Sequence, residues 1–419
     1  MKKRILKYSG TAIGQLLFLT FFLFTLGITP VAADTAVWNG GTGNWDDTGN
    51  WSGGVVPNGA DDDVLIDDGK ATDSVVNLNM TATIGNLTID ENDTLNINNT
   101  RALYVTGGKT IANDGTLHIN ATTTSGASLL LSGDVTLTGT GTVSTSNHLY
   151  NKLYGTTGTE ILTNDTGHTI QGSGRLGNNA LLLVNKGLIA ANQSNALTIN
   201  LTGVRDDLNG TNSGTLRAEG GTLSIDDSGI ANTGTLEARD GSQLVLKSTR
   251  INGGTLTTDG SGVIQLQNTA VISNVTNAAV VNVANSETGY VEGTIINNNT
   301  IQLNATTSSG ARLLLSGDVI LTGTGTVSMS DHYYNYLCAT GSEVLTNDTG
   351  HTIQGSGHLG YNNMLLVNKG LIEADQSTAL TVNLTGGRDD LNGTNSGTLR
   401  ADGGTLSIDD SGFTNTGTL

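Results

Sequence analysis

Disulfides, proline kinks and an aromatic core are all missing from this chain. Cys338 is the single cysteine, so no internal disulfide can form and stability rests on the non-covalent fold. Only two prolines occur, Pro30 and Pro57, and nothing after Pro57 interrupts a hydrogen-bond ladder. Phe18, Phe21, Phe22 and Phe24 all lie within the first 33 residues, which leaves Phe413 alone in the remainder. The core must therefore be aliphatic, whereas a globular domain of this length is usually built around aromatics. Positive charge is scarce as well: 19 Lys and Arg stand against 37 Asp and Glu, a formal charge of −18. A nucleic-acid partner is not expected, because binding phosphates needs a basic stripe and none is visible.

Four of the few basic residues, Lys2, Lys3, Arg4 and Lys7, precede an apolar run from Leu16 to Ile28 and then Pro30-Val-Ala-Ala33. This is the pattern of a secretory signal peptide over residues 1–33, with cleavage after Ala33 and an apolar run too short to span a membrane. Removing those four positive charges leaves −22 on the mature chain. Such a charge keeps a long Thr- and Asn-rich β surface soluble.

What is present is repetition. Asn212-Ser-Gly-Thr-Leu216, Asn232-Thr-Gly-Thr-Leu236 and Asn252-Gly-Gly-Thr-Leu256 begin 20 residues apart, and each is followed by an alternating apolar pair, Leu223/Ile225, Leu244/Leu246 and Ile264/Leu266. An alternating pair points both side chains to one face of a strand, and Asn and Gly read here as corner residues that tolerate a left-handed backbone. One such unit cannot bury its apolar face alone; stacked units can. The expected fold is all-β, a right-handed parallel β-helix (β-solenoid) with coils of about 20 residues. Roughly 19 coils would give a rod on the order of 90 Å long. Regular coils are expected from Ile84, so the organisation reads as a signal peptide (1–33), a Trp- and Gly-rich cap (34–83) and a β-helix (84–419).

A longer repeat overlies the short one: residues 120–236 return as 304–419. Leu162 to Gly174 recurs unchanged as Leu345 to Gly357, and Arg205 to Ala218 as Arg388 to Ala401. The offset is 184 at Asn120/Asn304 and 183 at His168/His351, so one residue is lost near Thr156-Thr157 in the second copy. A one-residue slip within a strand would turn every later side chain inside out, so the loss must sit in a loop. The sequence stops at Asn415-Thr-Gly-Thr-Leu419, mid-coil by comparison with Asn232 to Leu236, and reads as a piece of something longer.

All three tryptophans fall in one Gly-rich segment, Trp38-Asn-Gly-Gly-Thr-Gly-Asn-Trp45 followed by Asn50-Trp51-Ser-Gly-Gly-Val-Val-Pro57. It resembles the W-x-G-G-x-G-x-W…N-W-x-x-G-x-x-P opening of large bacterial secreted repeat proteins, the autotransporter passengers and haemagglutinin-like adhesins. The resemblance implies a secreted or outer-membrane-associated cell-surface stalk that makes many weak contacts with a host or matrix surface, polysaccharide or protein. It also implies an outer-membrane translocator supplied from elsewhere. The residues themselves read as an end cap over the open edge of the first coil, with a sugar-stacking surface as the alternative.

No catalytic constellation stands out, and no cofactor or metal is expected. Asp61, Asp62, Asp63, Asp67 and Asp68 bracket Val64-Leu65-Ile66 but match neither the EF-hand loop nor the calcium-binding nonapeptide. His168 and His351 read as surface turn residues, and the Arg205-Asp206-Asp207 and Arg388-Asp389-Asp390 units as duplicated turns. The candidate ligand contacts are His148, Tyr150 and Tyr154 in the first copy and His332, Tyr333, Tyr334 and Tyr336 in the second, where scarce polar aromatics gather beside the inferred loop. An adhesin-like stalk is the leading expectation. A secreted polysaccharide lyase or glycoside hydrolase on the same scaffold is the alternative, marked by carboxylates and bases aligned in one column.

Overall fold

The computed structural model describes residues 35–66, 69 and 72–419, so the leader expected over residues 1–33, together with Asp67 and Asp68, lies outside the described residues. From Thr35 onward the chain winds as a parallel β-solenoid of about 15 stacked turns, each of about 23 residues. At a rise of about 4.8 Å per turn this stack is roughly 70 Å long. Three strand faces surround one aliphatic core. The first face is a 15-stranded sheet from Ala82–Ile84 to Thr398–Ala401. The second begins at Thr35–Val37 and Asp63–Ile66, the third at Thr42–Asn44 and Val75–Leu78. These two merge into one 32-stranded sheet because Thr288–Asn297 and Ala311–Thr322 each run through the corner between them.

Strands alternate buried and half-exposed residues, which is what period-2 patterning over a continuous core requires. Leu216 pairs with Leu236 and Leu236 with Leu256, and all three are fully buried in one column, as their spacing predicts. Burying such a side chain contributes about 2 kcal/mol. The coil length differs from expectation because corners vary. Leu244 pairs with Ile264, 20 positions on, but Ile199 pairs with Ile225, 26 positions on, with the turn Arg205–Asp207 projecting between them. The three units that reveal the repeat are among the shortest coils.

The Asn-x-Gly-Thr-Leu signature also has a different cause from the one expected. Neither Asn212 nor Asn232 has a left-handed backbone; both are buried at strand ends. Asn212 Nδ2 donates to Asn232 Oδ1 at 2.7 Å, Asn185 to Asn212 at 2.7 Å and Asn164 to Asn185 at 2.8 Å. This is an internal amide ladder, which satisfies polar groups that burial would otherwise leave costly. The glycine is required by close stacking: a Cβ on Gly234 would lie 2.1 Å from the Gly214 carbonyl oxygen of the coil below.

At the amino-terminal end the three tryptophans are buried, with Trp51 edge-on to Trp38 (5.0 Å) and Trp45 (4.7 Å). Their indole N–H groups donate to the carbonyls of Gly41, Pro57 and Trp45. They belong to the hydrophobic core, so their faces are not open to a sugar.

The two long copies are not placed alike. Ala127–Ser132 lies on the first face, whereas its counterpart at the start of Ala311–Thr322 lies on the second. Asn151–Gly155 and Asn335–Ala339 are shifted in the same way. The second copy is therefore displaced by eight coils and one further face, a turn of about a third around the axis.

Candidate functional site

His148 and His332 are half-buried and shape their own loops: the Nδ1 of each accepts a hydrogen bond from the backbone N–H of Tyr150 and Tyr334, both at 3.2 Å. Tyr150 is exposed, and Tyr154 is half-buried on the outward side of its strand. Tyr333 is 52 % exposed, but Tyr334 packs against the core and Tyr336 is only 8 % exposed. Of the three candidate tyrosines in the second copy, Tyr333 is thus exposed, Tyr334 partly buried and Tyr336 buried.

The reason lies in residues that the sequence reading passed over. Tyr336 projects outward on the second face, in register with Arg312 below and His358 above. His358 stacks on it at 5.0 Å with ring planes 12° apart, Tyr361 meets it edge-on at 5.1 Å, and the Arg312 guanidinium lies 5.2 Å from its ring centre. Tyr333 closes on His358 at 4.4 Å. The outcome is an aromatic ridge with two exposed rims, Tyr333 and Tyr361 (54 %). Beside it runs a groove of about 480 Å³ lined by Tyr333, His358, Tyr361, Asn362, Thr381, Asn383 and Asp409. Burial lowers the His358 pKa, and its Nε2 has no partner among the described residues, nor does Asn383 Oδ1. Burial also pushes the Cys338 thiol up to about 11, so it is no nucleophile at neutral pH.

The first copy holds the same groove, of about 300 Å³, on the first face. Thr198, Asn200 and Asp226 correspond to Thr381, Asn383 and Asp409, while Arg175 and Asn178 stand where the second copy has His358 and Tyr361. Four further differences fall on the same patch: Ser128/Arg312, Leu149/Tyr333, Lys152/Tyr336 and Tyr154/Cys338. Comparing the copies position by position was the signal that could have found this site.

His168 and His351 are not surface residues; both are fully buried. In each copy the coil below places a glycine, Gly139 or Gly323, where the asparagine rung would be, and the imidazole fills the gap. Asn113 Nδ2 lies 3.1 Å from His168 Nε2, and His168 Nδ1 lies 2.8 Å from Asn164 Oδ1. In the second copy Asn297 Nδ2 is 3.0 Å from His351 Nε2, and His351 Nδ1 is 2.7 Å from Asn347 Oδ1. The network assigns the neutral tautomer with the proton on Nδ1. Burial holds both pKa values down at about 4.

The Arg-Asp-Asp units close turns. Asp207 Oδ2 accepts from Val204 N–H at 3.0 Å and Asp390 Oδ2 from Gly387 N–H at 2.8 Å. Asp206 is drawn instead to Arg250 (2.8 Å), which also pairs with Glu292 beside an open cleft. Of the amino-terminal acids, Asp62 accepts from Asn58 N–H and Asp63 from Asn86, so these too fasten turns.

A family model described as a domain of unknown function (DUF8693) matches residues 37–165. The matched segment takes in the tryptophan cap, the first coils, and His148, Tyr150 and Tyr154, and ends before either groove is complete. No curated protein and no solved structure matches the chain.

Proposed function

We propose that this chain is a secreted or cell-surface, adhesin-like stalk that meets its target through outward side chains on the strand faces. The observation that carries this reading is the exposed pair Tyr333 and Tyr361, held over a polar groove on a scaffold whose neighbouring coils fix them. Rigid aromatic rims beside a polar groove suit recognition, since little ordering is needed on contact. The test compares attachment of the purified chain, and of a Tyr333→Ala/Tyr361→Ala variant, to polysaccharide- and protein-coated surfaces. Attachment that falls in the variant while the melt is unchanged supports the reading; no attachment by the unaltered chain to any surface sinks it.

A second reading, a polysaccharide lyase or glycoside hydrolase, finds its footing in the cleft where Arg250 stands between Asp206 and Glu292. Both carboxylates come from other coils, as an active column would need. Its test is release of new chain ends from acidic and neutral polysaccharides, with Arg250→Ala expected to abolish it.

A further inference from the structure

We infer that the groove between Tyr333 and Tyr361 is a subsite for an uncharged glycan, made by divergence of the second copy on a backbone that both copies share. The inference deepens the adhesive reading by naming the ligand, and rests on that reading only for its biological setting.

Three observations converge. The floor of the groove is kept between copies while its walls are changed, and the changes place Tyr333, Tyr336, His358 and Tyr361 on one patch. Differences occur at other outward positions as well, among them Thr136/Ile320, Asn192/Asp375 and Asn195/Thr378, but here they bring four rings into mutual contact. Second, Tyr361 takes the place of Asn178 at a left-handed backbone position, φ 49° in both copies. Asparagine tolerates that conformation and tyrosine does not, so the ring is kept there against a local conformational penalty. Third, the lining of the groove defines its ligand: Asn362, Thr381, Asn383 and the Asp409 carboxylate offer neutral polar and acceptor groups, and none of the lining residues is Lys or Arg. Arg312 lies against the Tyr336 ring from the coil below and is not part of the groove's lining, so a phosphate, sulfate or uronate would meet no cation among the lining residues. A pyranose offers hydroxyl donors on its rim and an apolar C–H face to the tyrosines.

The test uses the full secreted chain in affinity electrophoresis and titration calorimetry against soluble neutral glucan, mannan and galactan, with polygalacturonate as the charged comparison. One neutral polymer is expected to bind, with little dependence on salt. The reverting variant His358→Arg/Tyr361→Asn installs side chains the same backbone already carries at 175 and 178, so it should fold with an undiminished melting temperature and bind at least about tenfold more weakly. Thr381→Val, a smaller change on the floor, should weaken binding without affecting the melt. Binding of no neutral polymer, preference for polygalacturonate, or full affinity in the reverting variant would overturn the inference. Loss of attachment to a protein-coated surface by the reverting variant, without any glycan binding, would replace the glycan with a protein partner and leave the adhesive reading standing.

Discussion

The first and second copies share their corners and cores residue for residue over long stretches, yet one presents Lys152, Arg175 and Asn178 where the other presents Tyr336, His358 and Tyr361. Their surroundings differ too, because the second copy is turned by one face. That the same grooves form in both settings shows that each coil takes its shape from its immediate neighbours, as expected of a stack in which contacts are local. Inward positions are mostly held by packing, with apolar exchanges such as Leu181/Met364 and Ile199/Val382, whereas outward positions and corners such as Asn178/Tyr361 are freer to acquire chemistry.

The strongest way to break the comparison is a charge in the core. Leu216→Asp buries an unpaired carboxylate at a cost of several kcal/mol, roughly 4 or more. Amide exchange should show lost protection at Ile189 and Leu236, the register neighbours, while Leu345 to Leu399 stay protected. Simultaneous loss in both copies would mean one cooperative unit.

Acid is the next lever. A histidine whose pKa falls from 6.5 to about 4 on folding binds its proton more readily when unfolded. Its contribution is thus complete above pH 6.5 and is lost as pH falls towards 4, about 3 kcal/mol for each site. The copies should part company here. Asn113 Oδ1 has no partner among the described residues and can swing round to accept from a protonated His168, whereas Asn297 Oδ1 is already held by Asn277 at 2.8 Å. Exchange at pH 5 should open the coils around His351 before those around His168; the reverse order would refute the ladder account.

A smaller contrast sits at the loop that lost one residue. Glu160 is buried and its carboxylate accepts six hydrogen bonds from Thr156, Thr157, Gly158 and Thr159. Burial alone would raise its pKa, but those donors outweigh it and hold the group at about 2. Glu343 has fewer donors among the described residues, Thr340 Oγ1 and the Gly341 N–H chief among them. Glu160→Gln should therefore cost about 2 kcal/mol and Glu343→Gln less than about 1, read as urea midpoints near pH 7. The smallest effect is a gain: Tyr361→Asn relieves the left-handed tyrosine and should stabilise by on the order of 0.5 kcal/mol, whereas the matching Asn178→Tyr should destabilise by as much.

Much of the fold was legible because side-chain alternation and aliphatic matching act along the chain. Leu216, Leu236 and Leu256 announce their column directly. The coil length was misjudged because corners such as the one holding Arg205–Asp207 add residues that carry no period. The ladder histidines looked like turn residues because the asparagines that bury them, such as Asn113 and Asn297, lie more than 50 positions away. For the same reason the loop tyrosines were found but their stacking partners were not: His358 and Tyr361 reach Tyr336 only when the next coil is laid over it.

The turn of the second copy by one face has an outcome for valency. Corresponding grooves separated by eight coils and a face look in directions about a third of a circle apart, so a flat target that covers the one walled by His358 and Tyr361 leaves the one walled by Arg175 and Asn178 free for a different target. A further duplication of the same length would point to the remaining side, and three would distribute contacts around the whole circumference. Lengthening by this particular increment converts a one-sided rod into one that can cross-link targets lying in different planes.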